Sequence, residues 1–257
     1  MTKYPIVLVH GLAAKDFSFC RAFGSIAAFL RSQGVSLYVA NPDGVGTIAR
    51  NALQLQKEIE NFCAATGCEK VNIIAHSKGG LDARYMISHL NMHTRVASLT
   101  TLSTPHHGSH LSTTILKLPR WMIRIVCFFI NTFYRIFHDE NPDILAAAQD
   151  LTDEAMVTFN QNTPNHPSVY YQSYASQTSK ANAFLVYLPY QISRYCERDE
   201  TDGLVSVQSS QWGNYQGQIQ GNPNHLQMVA LYGTKKKRLA VAKFYLHIIN
   251  QLGDMGF

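Results

Sequence analysis

The stretch Asn72-Ile73-Ile74-Ala75-His76-Ser77-Lys78-Gly79-Gly80 decides the fold. A short β-branched run stops on a serine set among small residues, and helix-like sequence follows at once. These are the letters of a buried strand turning sharply into a helix, a nucleophile elbow with Ser77 at its tip. A side chain on either flank of such a turn would strike the adjoining strand or helix, so both flanks must be small. Gly79 fills one flank, and Ala75 fills the other, where glycine is commoner. The Ser77 hydroxyl would then stand exposed above a sheet. The same letters also spell a plain Ser-Lys-Gly-Gly loop without chemistry, so the rest of the chain decides.

Outward from the elbow, strand and helix patterns alternate. Ile6 to His10 is an apolar run ending in His-Gly, a buried strand and a turn. Phe17 to Ser32 has helical spacing through Phe19, Phe23, Ile26, Ala27 and Leu30, and Gly34 closes it. Ser36 to Ala40 is the next strand, stopped by Asn41-Pro42-Asp43-Gly44. Ile48 to Ala65 is an amphipathic helix, and Gly67 ends it. Val71 to Ala75 leads to Ser77, Leu81 to Leu90 is the following helix, and Val96 to Leu102 is a strand ending in Ser103-Thr104-Pro105. This alternation predicts a parallel sheet with helices on both faces. Ligands of such sheets lie beyond the carboxyl ends of the strands. His10-Gly11, Asn41-Pro42, Ser77 and Thr104-Pro105 all fall at those ends, on one rim.

From Leu111 to Pro167 the pattern holds no clear strand. Asn141-Pro142-Asp143 reads as a helix start, a cap followed by proline at the first helical position. Thr152-Asp153-Glu154 is another, with acids in the first turn. The stretch 111–167 therefore reads as a helical cap inserted on the rim of a single domain covering 1–257. Val169 to Ala175 returns to strand, Ser176 to Gln220 gives no readable strands, and the last helix spans roughly Leu239 to Gln251.

Composition agrees with one large α/β domain: 257 residues, 46% apolar and 15% charged. The net charge of +5 is modest, and its densest run, Lys235-Lys236-Lys237-Arg238, reads as the solvated start of the last helix. No basic patch is interleaved with aromatics, so a nucleic-acid partner is not expected. Five cysteines, Cys20, Cys63, Cys68, Cys127 and Cys196, are odd in number and lack metal-ligand spacing, which fits a reducing compartment. No signal peptide precedes Tyr4, which points to the cytoplasm for the chain as given, or to secretion if a leader was removed.

Serine needs a base to take its proton, and the base needs an acid to orient it. On an α/β-hydrolase sheet the order along the chain is nucleophile, acid, histidine. Thr201-Asp202-Gly203-Leu204-Val205 places an acid in a tight turn, and Asn222-Pro223-Asn224-His225-Leu226 places a histidine in a loop. Asp202 is the expected acid and His225 the expected base. Glu197, Asp199 and Glu200 read as a charged solvated loop, and His247 as a helix residue. His76 adjoins Ser77, but neighbouring side chains at an elbow diverge. His106, His107 and His110 have zinc-like spacing without an attached acid or cysteine, and read as structural. The oxyanion donors expected are the backbone N–H groups of Lys78, after the nucleophile, and Leu12, after Gly11.

Tyr4 to Leu12, Ala75 to Gly80, Thr104 to Ser109, Thr201 to Val205 and Asn224 to Leu226 occur in that order. Together they resemble the bacterial true lipases, triacylglycerol lipases of the α/β-hydrolase fold. The resemblance spans nearly the whole chain and is weakest from Leu111 to Arg198. It implies Ser77, Asp202 and His225 as catalytic triad, Leu12 and Lys78 as oxyanion donors, and no cofactor. The implied activity is carboxylester hydrolysis of a lipid or other hydrophobic ester, with a lipid–water interface as one setting. Calcium-binding members of that family carry an acid two residues after the histidine. Here Gln227 stands there, and a neutral amide is a weak partner for a hard cation. No structural metal is therefore expected. A polyester depolymerase or acyltransferase on the same machinery, and a ligand-binding protein without catalysis, remain as alternatives.

Trp121 to Phe137 is apolar almost all round, too short to span a bilayer, and interrupted by Arg124 and Arg135. It reads equally as a core helix or as a lid whose Trp121 and Phe128 contact acyl chains.

Overall fold

The computed structural model describes residues 2–14, 21–179, 186–197 and 199–257. The first turn expected at 17–20, with Cys20, lies outside the described residues, as do the side chains of Cys196 and Glu197. One sheet carries six parallel strands: β1 (Ile6–Val9), β2 (Leu37–Ala40), β3 (Val71–His76), β4 (Val96–Leu102), β5 (Tyr170–Ala175) and β6 (Asn214–Gln218). Their order across the sheet is β2-β1-β3-β4-β5-β6.

Strand alternation sends successive side chains to opposite faces. Ile6, Leu8 and Ile74 pack into one core with helices α1 (Gly24–Ser32) and α9 (Lys235–Asp254). Val7, Val9, Ile73 and Ala75 pack into the other with α2 (Ile48–Thr66) and α3 (Lys78–His89). Both layers are filled by aliphatic side chains removed from water, the dominant favourable contribution to such a fold. The basic run Lys235 to Arg238 forms the first turn of α9, with the three lysines exposed and Arg238 half-buried. Cys63 and Cys68 are free thiols with sulfurs 3.3 Å apart.

The strand order places the site. The chain leaves β1 for β2 on one side and returns to β3 on the other, so the turns after β1 and β3 open a crevice between them. Val9 pairs with Ala75, which sets His10-Gly11-Leu12 beside His76-Ser77-Lys78. α3 begins at Lys78, three residues earlier than the periodicity suggests.

Between β4 and β5 lie α4 (His110–Ile115), α5 (Arg120–Ile136), α6 (Ile144–Gln149) and α7 (Asp153–Asn162). α8 (Tyr187–Glu197) precedes β6. Thr152 caps α7 as expected, but α6 is capped by Asp143, whose carboxylate accepts the Ala146 N–H at 3.1 Å. The proline-bearing pair Asn141-Pro142 belongs to the approach. α5 is not a core helix. Its only buried side chain is Tyr134, while Trp121, Phe128, Phe129 and Ile136 are each about two-thirds exposed. The segment between β4 and β5 is tied to the loop after β2 through carboxylates. Asp43 accepts the N–H groups of Glu140 and Asn141 at 2.9 and 3.0 Å, and Asp139 accepts that of Val45 at 3.0 Å. No described helix is long and apolar enough to cross a membrane.

Candidate active site

Ser77 sits at the end of β3 with φ 55° and ψ −135°, a conformation sparsely populated by residues other than glycine. Three contacts hold it there. Its N–H donates to Leu102 O at 2.9 Å, and its carbonyl accepts from Thr104 Oγ1 at 2.8 Å and from the Gly80 N–H at 3.0 Å. Thr104 was legible in the sequence only as part of a turn; its bracing of the elbow is a long-range pairing. Room is scarce on both flanks. A Cβ at Gly11 would lie 2.5 Å from Ser77 Cβ, and one at Gly79 would overlap the His10 carbonyl oxygen. Ala75 is wholly buried in the α2–α3 core, where its methyl fits.

Asp202 is fully buried. Its Oδ1 accepts the N–H groups of Leu204 and Val205 at 3.0 and 2.9 Å, and its Oδ2 meets His225 Nδ1 at 2.7 Å. Gly203, at φ 107°, lets the chain turn back so that both oxygens are used. The His225 N–H returns to the Asp202 carbonyl at 3.1 Å. The His225 loop is closed by reciprocal bonds: Gln227 N–H donates to Asn224 Oδ1 at 3.0 Å, and Asn224 N–H donates to Gln227 Oε1 at 3.1 Å. Asn224 Nδ2 also donates to the Tyr232 hydroxyl.

Ser77 and His225 open onto one cavity of about 250 Å³, with Leu12, Leu204, Leu226 and Leu231 on its wall. Among the described residues no hydrogen bond joins the Ser77 hydroxyl to the His225 ring, a looseness common in unliganded sites. The backbone N–H groups of Leu12 and Lys78 likewise find no acceptor among the described residues. Trp121 and Phe128 do not line the cavity. A larger, polar cleft of about 620 Å³, lined by His107, His110, Asp153 and Asp199, contains neither Ser77 nor His225.

The rival residues are occupied elsewhere. Asp199 accepts the N–H groups of Glu200 and Gln208, and Glu200 accepts from Gln218 Nε2 at 2.7 Å. His247 is exposed on α9. His106 is buried between Thr101 and Arg84, His107 is exposed, and His110 pairs with Asp153 at 2.9 Å. Among the described residues no cluster of histidine, cysteine and acid side chains could hold a metal ion.

Two further features were not read from the sequence, although the i, i+4 spacing of Lys78 and Asp82 signals the second. The His76 ring does not diverge from the chemistry but lies against His225, with centroids 4.4 Å apart. The Lys78 side chain is buried and ion-paired with Asp82 at 2.7 Å, one helical turn on. Burial pushes the Asp82 carboxyl up to about 6, against the opposing pull of the Lys78 ammonium and the Asn51 amide.

A parallel sheet with a strained serine at its switch point, and a histidine held by a buried acid at the same rim, defines an α/β hydrolase. The model of the palmitoyl protein thioesterase family matches residues 5–198, and the chain belongs to that family. Among relatives, triacylglycerol lipase 2 of Saccharomyces cerevisiae is 30% identical over 90% of this chain and 73% of its own length. A triacylglycerol lipase of Pseudarthrobacter phenanthrenivorans is 36% identical over 64% of this chain, a match spanning only 55% of that protein. The crystal structure of Staphylococcus hyicus lipase superposes with a TM-score of 0.72 at 19% identity, over 98% of this chain and 95% of that one. A metagenomic carboxyl esterase gives a TM-score of 0.78 at 19% identity, over 98% of this chain and 76% of that one. The two solved structures share the fold, and the two lipase relatives place the chain among the carboxylic ester hydrolases.

Proposed function

We propose that the chain cleaves hydrophobic acyl esters, acylglycerols among them, through Ser77, His225 and Asp202. The observation that carries this reading is that His225, held from behind by the buried Asp202, opens together with Ser77 onto a mostly apolar cavity. His225 takes the Ser77 proton through Nε2 as the hydroxyl oxygen attacks the ester carbonyl. The oxyanion that forms accepts from the N–H groups of Leu12 and Lys78, where one donor is worth roughly 10²–10³ in turnover. His225 then protonates the leaving alcohol, and water releases the acyl group by the same steps. Asp202 fixes the ring through Nδ1 and balances its positive charge. The residues need no cofactor for this chemistry.

The segment 111–167 acts in this reading as a lid over the rim of the one domain, its apolar α5 face meeting acyl chains or the lipid surface. The relatives named as lipases favour oxygen esters, and the name of the matched family favours a thioester. Parallel assays with p-nitrophenyl octanoate and an octanoyl thioester separate the two. Product analysis with a competing alcohol separates hydrolysis from acyl transfer. A fluorophosphonate probe should label Ser77, and an unlabelled Ser77 would refute catalysis by this site. Ser77→Ala should lower turnover by about 10⁴–10⁶.

A further inference from the structure

His76 ends β3 one residue before Ser77. His76 is 2% exposed, lines the same cavity as Ser77 and His225, and among the described residues has no hydrogen-bond partner at either ring nitrogen. The His225 main chain is near but outside hydrogen-bond geometry. Buried polar atoms are nearly always paired, and an unpaired one carries a desolvation cost until something meets it. The cavity is the side from which a partner can arrive.

The position of the ring says which part of a substrate would supply that partner. In ester cleavage the base hands its proton to the leaving oxygen, so the alcohol half must lie against His225. His76 is packed on that same ring at 4.4 Å and therefore borders the alcohol half. Burial, with the neighbouring His225 and His10 rings, holds the His76 imidazole well below its ordinary range, so it is neutral. A neutral imidazole offers one donor and one acceptor, the complement of a hydroxyl.

We propose that His76 is a substrate-binding residue selecting esters whose alcohol half keeps a free hydroxyl beside the ester oxygen. Partial acylglycerols and other monoacyl polyols satisfy this, and a fully acylated glycerol does not. The proposal rests on the ester-hydrolase reading above.

The test compares 2-hydroxyethyl octanoate with propyl octanoate, in which a methyl replaces the hydroxyl at nearly equal size. Values of kcat/KM are normalised to the alkaline hydrolysis rate of each ester. The wild-type chain should prefer the hydroxyl ester about tenfold, the worth of one good neutral hydrogen bond. His76→Phe should bring that ratio close to one whatever the absolute rates, and His76→Gln should restore part of it. Turnover of both esters with a wild-type ratio near one overturns the His76 assignment and leaves ester hydrolysis standing, and this arm needs no variant to fold. A ratio that survives His76→Phe also overturns it. No turnover of either ester, with Ser77 unlabelled by the probe, overturns both readings.

Discussion

Gly11 and Gly79 are required for room and not for an unusual backbone, since neither lies in the left-handed region. The substitutions should therefore differ in what they damage. The methyl of Gly11→Ala would meet Ser77 Cβ at 2.5 Å and Oγ at 3.0 Å. The side chain it displaces is the nucleophile, so kcat should fall at least about 100-fold, as expected for a misplacement near 1 Å. The methyl of Gly79→Ala would press on the His10 carbonyl, inside the packing of β1 against α3. Its first effect should be on stability, about 1–3 kcal/mol by urea unfolding. Asp202→Asn should cost about 10⁴ in kcat, because the amide cannot hold the required tautomer. If Asp202→Asn is harmless while Glu197→Gln is not, the acid has been misassigned. Ser77, Gly11, Gly79, the Asp202-Gly203 turn and His225 were all legible because each belongs to a motif of neighbouring residues. His76 and Thr104 were not, because their roles arise from pairings across 149 and 27 positions.

At the scale of elements, sequence shows that a helix is apolar but not whether anything covers it. α5 could therefore be read as core or lid, and its exposed Trp121 and Phe128 decide against core. Truncating either to alanine should change stability by no more than about 0.5 kcal/mol. If α5 is a lid, the same changes should reduce hydrolysis of octanoate esters more than acetate esters. Tyr134→Phe behaves differently, since it removes the 2.8 Å bond from the Tyr134 hydroxyl to the Ala13 carbonyl and should cost about 1 kcal/mol. β6 was illegible for another reason. Asn214-Tyr215-Gln216-Gly217-Gln218 is an exposed edge strand with no buried apolar face to leave a pattern. The Gln227 position carries a prediction as well. Gln227 and Asn224 close the histidine loop with their own side chains, so a chelator should leave kcat and the melting temperature unchanged. Activity lost to chelator and restored by calcium would overturn that argument.

At the scale of the whole molecule, the alternation of strand and helix was sufficient for the parallel sheet, because each buried strand is a short apolar run. It could not supply the buried Lys78–Asp82 pair, which lies under the elbow and makes stability depend on pH. The Asp82 carboxyl has an ordinary value of 3.8 and stands at about 6 in the folded chain, so between these values the folded state keeps a proton that the unfolded chain has released. Stability must then fall as pH rises through this window, by at most about 1.4 kcal/mol per pH unit from this group, and the contribution is fully lost above it. Unfolding by urea from pH 4 to pH 7 should show this decline when wild type is compared with Asp82→Asn, which has no carboxyl to titrate there. The same pair predicts strong coupling. Asp82→Asn or Lys78→Met alone strands a buried partner and should cost about 3–5 kcal/mol, whereas the double change Lys78→Met with Asp82→Leu should cost far less than the sum. Additive losses would mean that the two charges do not depend on each other, and that the 2.7 Å contact contributes little to holding the first turn of α3 beneath Ser77.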